Sequence, residues 1–293
     1  MNVKGIFAGR PALFQFALLL SFVLVGTLLA GIITLALMPT GNMYQDAGIL
    51  RFVQALSAVC TFLVPAIVVA WLYSKDIYDY LFIRHFPDIK ITALTFVSML
   101  LLSPTITLTG VFNKAMKLPV FMEPIEKWMQ SLEQSAETLT KLLLSDTGIT
   151  AVFLNLLVIA VIAAITEEFF FRGVLQRIMG KWFRNPHVVI WSVAFIFSVI
   201  HMQFYGLIPR MLLGAYFGYL LLWSKNIWVP VLAHFCNNAI AVIGMADSNL
   251  KENEFISGEI PESEMLSFII IATITFVLFC FCANYLRKSF RES

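Results

Sequence analysis

Residues 149–180 read ITAVFLNLLVIAVIAAITEEFFFRGVLQRIMG. The run Ile149–Ile165 carries no charge, and Thr166-Glu167-Glu168-Phe169-Phe170-Phe171-Arg172-Gly173 follows it directly. A helix need not stop at Glu167, because Phe169–Phe171 and Val174–Met179 are still largely apolar. Continued to Gly180, with Pro186 beyond, it exceeds the ~20 residues that cover ~30 Å of hydrocarbon. Glu167 then lies ~20 Å from the end of that helix. Ionisable groups at such depth are costly, and they mark either function or a structural pair.

The rest of the chain has the same character. Of its 293 residues, 59% are hydrophobic, 14% aromatic and only 13% charged. Soluble domains hold about 25% charged residues, so a water-soluble globule is excluded. The expected fold class is all-α, a polytopic membrane bundle in a single domain, residues 1–293. A dispersed net charge of +2 excludes a nucleic-acid binder. Cys60, Cys236, Cys280 and Cys282 fall in apolar runs without metal-ligand spacing and read as small hydrophobes.

About eight spans are expected. They are Ala12–Met38, Phe52–Tyr73, Ile91–Phe112 with a kink at Pro104, Ile149–Gly180, His187–Gln203, Gly206–Ser224, Ile227–Met245 and Met265–Leu286. The first exceeds the ~7–15-residue core of a signal peptide and is kept as a helix. An even number places both termini on one side. With the N-terminus inside, the inner segments hold Lys4, Arg10, Lys75, Arg84, Lys90, Arg177, Lys181, Arg184, Lys225, Arg287, Lys288 and Arg291. The outer ones hold Arg51, Lys114, Lys117, Lys127, Lys141, Arg210 and Lys251. The excess of inner cations favours an N-in, C-in topology.

Two outer connections stand out. Between Glu123 and Leu144, Ile125, Trp128, Met129, Leu132, Ala136, Leu139 and Leu143 recur at helical spacing, with Glu and Lys opposite. This predicts an amphipathic helix lying flat in the outer interface. The acidic stretch Asp247–Glu264 reads as a solvated loop. No internal repeat or second domain is visible.

Two further polar groups interrupt the apolar pattern: Phe197-Ser198-Val199-Ile200-His201 in the fifth span and His234-Phe235-Cys236-Asn237-Asn238 in the seventh. Counted from the same face as Glu167, His201 lies ~21 Å deep, His234 ~11 Å and Asn238 ~17 Å. Three separately drawn helices thus bring their polar groups to overlapping depths, as one buried site requires. Glu168 and Arg172 are i,i+4 and face each other as a carboxylate–guanidinium pair. Glu167 is turned ~100° from Glu168 and can point elsewhere. His234 and Asn238 are also i,i+4 and can present donors to one point.

These are the parts of a hydrolytic site. A Glu–His couple around one water is a general base near neutral pH. A His and an Asn amide aimed at one spot suit an oxyanion. Serine and cysteine mechanisms lack support, because no G-x-S-x-G occurs and Cys236 is the sole nearby thiol. Gly214 and Gly218 form a G-x-x-x-G in the sixth span and read as a close helix contact.

E-E-x-x-x-R, F-x-x-x-H and H-x-x-x-N, in that order on successive helices, resemble the CPBP family of CAAX-type prenyl-protein endopeptidases and bacteriocin-processing proteases. All three motifs are present, as Glu167/Glu168/Arg172, Phe197/His201 and His234/Asn238. The resemblance covers roughly Ile149–Met245, a helical catalytic core. It implies proteolysis within the membrane, with Glu167 and His201 activating water and His234 and Asn238 stabilising the oxyanion. Glu168 and Arg172 would orient the site. It implies as partners the lipid bilayer and a peptide or lipidated protein substrate, and the location expected is a multi-pass bacterial cytoplasmic membrane.

Metal-free catalysis is the expectation, with no cofactor. Zinc held by Glu167, His201 and His234 is the alternative, weakened by the absence of H-E-x-x-H and by Asn, a poor zinc ligand, in the third motif. Two other functions remain open: an ion-coupled transporter, which also uses mid-membrane Glu and His, and a catalytically silent immunity or scaffold relative.

Overall fold

The computed structural model describes residues 3–37, 46–246 and 260–292. It is 82% helical, with no strand among the described residues. In chain order the main helices are α1 (Ala12–Leu37), α2 (Ala47–Tyr73), α3 (Ile89–Ala115), α4 (Glu123–Leu143), α5 (Ile149–Met179), α6 (Pro186–Val199), α7 (Leu207–Ser224), α8 (Trp228–Ala246) and α9 (Met265–Glu292). Asp46 caps α2 by accepting from the Gly48 and Ile49 N–H groups, and Asp88 caps α3 at Ile91 N–H. α3 runs unbroken through Pro104. Seven helices, α1, α2, α3, α5, α7, α8 and α9, are long and apolar enough to cross a membrane.

The eighth apolar helix is different. The segment expected as His187–Gln203 is α6, with only 14 residues. That length reaches ~21 Å, about two-thirds of the hydrocarbon. The chain then turns at membrane depth: Met202 takes a left-handed φ of 55°, and Phe204–Gly206 form one 3₁₀ turn. Non-helical backbone at this depth survives only where protein or a wet cavity satisfies it. Three side chains do so here, with four hydrogen bonds. Asn113 Nδ2 donates to the Phe204 carbonyl at 3.1 Å, and Asn113 Oδ1 accepts from Ile208 N–H at 2.7 Å. Ser198 Oγ donates to the Leu207 carbonyl at 2.7 Å, and Arg210 Nη1 to the Gln203 carbonyl at 3.2 Å. Gly206 and Pro209 are the local reason for the break, since both favour a helix start over helix continuation.

Packing around α5 positions the site. Phe170 and Phe171 pack on Phe62 of α2 with ring centroids 5.2 and 5.9 Å apart, and Phe171 meets Phe197 of α6 at 5.1 Å. A second core joins α3, α7, α8 and α9 through Met99, Phe217, Ala233 and Leu286. α6 and α7 touch where the small residues fall: a Cβ on Gly218 would sit 2.9 Å from Ile190 Cγ2, and one on Gly214 3.1 Å from Phe197 Cδ1. The close contact expected from G-x-x-x-G is therefore present.

Lys181 Nζ donates to Gln15 Oε1 at 2.7 Å, and the Arg287 guanidinium lies 5.9 Å over the Trp223 ring. The start of α1, the α5–α6 loop, the end of α7 and the end of α9 thus share one face. At the opposite end lies α4. Its last-turn residue Leu143 is buried and its carbonyl accepts from Arg51 Nη2 at 3.1 Å and Asn155 Nδ2 at 3.0 Å. Trp128 of α4 rests on Phe204 with centroids 5.5 Å apart. Ile125 and Trp128 remain nearly half exposed, which leaves an apolar face for the bilayer interface. The loop expected over Asp247–Glu264 lies mostly outside the described residues.

Candidate functional site

Two π-helical segments, Leu156–Ile162 and Phe169–Leu175, interrupt α5, and the regular turns Ala163–Glu168 lie between them. Such wide i→i+5 turns are rare and concentrate at functional sites. In the regular turns between them, the two adjacent glutamates serve different neighbours.

Glu168 points into protein. Its side chain is fully buried, and its Oε1 accepts from Arg172 Nη1 at 2.7 Å and from His234 Nδ1 at 2.8 Å. Arg172 Nη2 donates to the Gly214 carbonyl at 2.8 Å. The guanidinium also lies over the Phe197 and Phe217 rings, at 4.7 and 5.4 Å. One desolvated ion pair therefore ties α5 to α6, α7 and α8. The carboxylate is an acceptor only, so the hydrogen on His234 Nδ1 belongs to the imidazole. Phe217 stacks on that imidazole at 5.2 Å and fixes its plane.

Glu167 points the other way. Its Oε2 is 3.9 Å from His201 Nε2 and 3.9 Å from His234 Nε2, and it has no hydrogen-bond partner among the described residues. His201 sits just past the end of α6 on the turn, where its Nδ1 donates to the Phe197 carbonyl at 2.7 Å. That bond assigns the hydrogen to Nδ1 and leaves a lone pair on Nε2 facing Glu167. Separations of 3.9 Å are too long for direct hydrogen bonds and match groups that share a water.

Asn238 lies one turn beyond His234 on α8. Its Nδ2 donates to the Ile159 carbonyl, inside the first π segment, at 2.9 Å, and its Oδ1 accepts from Asn237 Nδ2 at 3.2 Å. One amide hydrogen is thus committed to the wall and one remains.

A cavity of about 450 Å³ joins these groups. Glu167, His201, His234 and Asn238 all line it, whereas Glu168 and Arg172 stand behind His234 and do not. The structure therefore brings four of the six sequence-derived residues to one space and puts the other two in support. Gln54, Gln203, Arg210 and Asn237 also line it and were not singled out from the sequence. Arg210, counted with the outer connections, lies in the first turn of α7, where Nη2 donates to Gln203 Oε1 at 2.8 Å. A charge inside a span was the available signal. Gln54 and Gln203 carried none, because neutral amides barely alter hydropathy. As for the zinc alternative, no group of three or more His, Cys, Asp or Glu side chains among the described residues is arranged to hold a metal ion.

A multi-pass helical membrane bundle that encloses carboxylates, imidazoles and amides around one cavity defines a class of protein with a polar site inside the membrane. Residues 149–240, which carry all six residues, match the family described as type II CAAX prenyl endopeptidase Rce1-like. That match bears out the resemblance of the three motifs. The chain is also similar to the uncharacterized protein YpbD of Bacillus subtilis (strain 168), with 30% identity over 121 residues. The aligned part is 40% of this chain and 57% of YpbD, so the chain spans a little over half of that relative's length. No solved structure matches.

Proposed function

We propose that the protein is an intramembrane endopeptidase of the CAAX-protease type, with residues 149–245 as its catalytic core. The observation that carries this reading is the position of Glu167 Oε2, unpartnered and 3.9 Å from the Nε2 atoms of both His201 and His234. A water among these three atoms would be held by a carboxylate and by a lone pair on His201.

In the reaction, Glu167 takes a proton from that water as the oxygen attacks the scissile carbonyl carbon. His201 Nε2 accepts the other hydrogen bond and orients the attack. Negative charge develops on the carbonyl oxygen, where a protonated His234 Nε2 and the remaining Asn238 amide hydrogen can donate. Collapse breaks the C–N bond, and the proton held by Glu167 passes to the leaving amine. Glu168 and Arg172 do not touch substrate in this scheme; they hold the His234 imidazole in the orientation that the oxyanion needs.

The substrate class that suits the site is a peptide or lipidated protein that reaches the cavity from the bilayer, and the location is the cytoplasmic membrane of a bacterium. The test is cleavage of membrane peptides by the purified, reconstituted full chain, read by mass spectrometry of the products. Wild type should cut and Glu167→Ala should not, while both remain helical and inserted. Equal turnover by the variant would defeat the assignment.

A further inference from the structure

A second polar cavity, of about 370 Å³, lies at the face where α5 ends, α6 begins and α7 ends. Arg172, Arg177, Lys181, Arg184 and Lys225 line it, and no acidic side chain does. We propose that this cavity binds a phosphate group, carried either by an anionic lipid headgroup or by free phosphate.

The cations are placed but not neutralised. Among the described residues, Arg172 alone of the five has a carboxylate partner, Glu168. Arg177 donates to the carbonyl oxygens of Asp79, at 3.2 Å, and Tyr80, and lies over the rings of Tyr80 and Phe82 at 4.5 and 4.9 Å. Lys181 donates to the neutral Gln15 amide. Asp76 and Asp79, near the Arg177 contact, pair with Arg84 instead. Arg184 and Lys225 are exposed and make no hydrogen bond or ion pair among the described residues. Burial and, after it, repulsion from Arg177 hold the Lys181 ammonium below its usual range. Like charges gathered around one space repel unless an anion joins them, and phosphate matches guanidinium and ammonium donors in charge and geometry.

The depth fits a headgroup. Met179, Pro186 and Ser224 end or start their helices here, so the cavity sits at a membrane surface. Trp182 and Phe183, 40% and 42% exposed in the same loop, are the aromatic rim expected at an interface. Pro186 at the start of α6 adds the positive end of a 14-residue helix. Basic pockets between membrane helices are a known form of acidic-lipid site. The cavity is separate from that of Glu167, so it serves retention or regulation of the bundle rather than the hydrolytic step.

The test uses purified full-length protein in neutral detergent, with bound adducts counted by native mass spectrometry. Dioleoyl phosphatidylglycerol, dioleoyl phosphatidylcholine and inorganic phosphate are titrated separately and in competition. Phosphatidylglycerol should bind at least about tenfold more tightly than phosphatidylcholine. The double variant Arg184→Gln/Lys225→Gln should lose that preference, whereas Arg184→Lys/Lys225→Arg should keep it. Both pairs alter exposed side chains, and circular dichroism checks that the helices persist. Displacement of the lipid by inorganic phosphate at millimolar concentration would identify free phosphate as a competent source; failure to displace would assign the site to the lipid. Equal binding of the two lipids with no binding of phosphate, or unchanged phosphatidylglycerol binding in the charge-removed variant, would overturn the proposal.

Discussion

Glu168 Oε1 and His234 Nδ1 lie 2.8 Å apart, and the same oxygen is 2.7 Å from Arg172 Nη1. This shared acceptor separates two roles that adjacent glutamates would otherwise confuse. Glu168 is a buried anchor withdrawn from the cavity, and Glu167 is the carboxylate that lines it.

Glu168→Gln should therefore act on stability first. It leaves the Arg172 guanidinium buried without a counter-charge and weakens the hold on His234. Breaking a buried pair from one side costs about 3–5 kcal/mol. Thermal unfolding in detergent should show the loss, and Glu168→Gln/Arg172→Met should recover part of it because no bare charge is left. A double variant no more stable than Glu168→Gln would refute the anchor role.

His201→Ala and Glu167→Gln should do the reverse, leaving unfolding nearly unchanged while lowering kcat by ~10²–10⁴. If both groups act on one water, as proposed, the double variant should be no slower than the worse single one. Multiplicative losses measured in a peptide-cleavage assay would show that they act separately.

Much of this arrangement was legible in the sequence, and the reasons differ between elements. Uncharged runs of membrane length gave α1, α2 and α3 to within a few residues, and the apolar residues that flank its charges extended α5, because hydropathy over so long a window leaves few alternatives. The polar residues were legible for the complementary reason: Glu167, His201 and His234 are conspicuous where apolar residues are required. The short reach of α6 was not, since Phe204, Leu207 and Ile208 continue the apolar run and hide a turn that depends on Asn113, ninety-odd positions earlier in the chain. The two π segments were equally hidden, because no residue type signals one.

Asn238→Ala should lower kcat by ~10²–10³, the usual effect of losing an oxyanion donor. The structure adds a complication, since Asn238 also holds the Ile159 carbonyl at 2.9 Å. Asn238→Asp keeps the size but removes both donors, so it loses the bond to Ile159 together with any bond to the oxyanion. Activity equal to wild type in both variants would remove Asn238 from the reaction.

Catalysis that runs through Glu167 and a water needs no ion. Dialysis against a strong chelator, followed by assay, should leave the rate unchanged. Loss of activity on chelation with recovery on adding zinc would reassign Glu167, His201 and His234 as ligands.

Arg210 offers a sharper test of how the turn after α6 serves the site. Its guanidinium reaches both the carbonyl and the side-chain oxygen of Gln203, at 3.2 and 2.8 Å, two residues from His201. The role expected of it is positioning, its bonds holding the turn that carries His201. Arg210→Lys keeps the charge and loses the fork that spans two oxygens. A displacement of the imidazole by ~1 Å is enough to cost up to ~10² in kcat. The expected result is a fall in kcat for both Arg210→Lys and Arg210→Gln, with KM little changed. A variant Gln203→Ala, which removes one of the two acceptors but no charge, should show a smaller fall in the same direction. If Arg210→Lys retains full kcat while Arg210→Gln raises KM, the charge acts on the substrate directly and the positioning role is wrong.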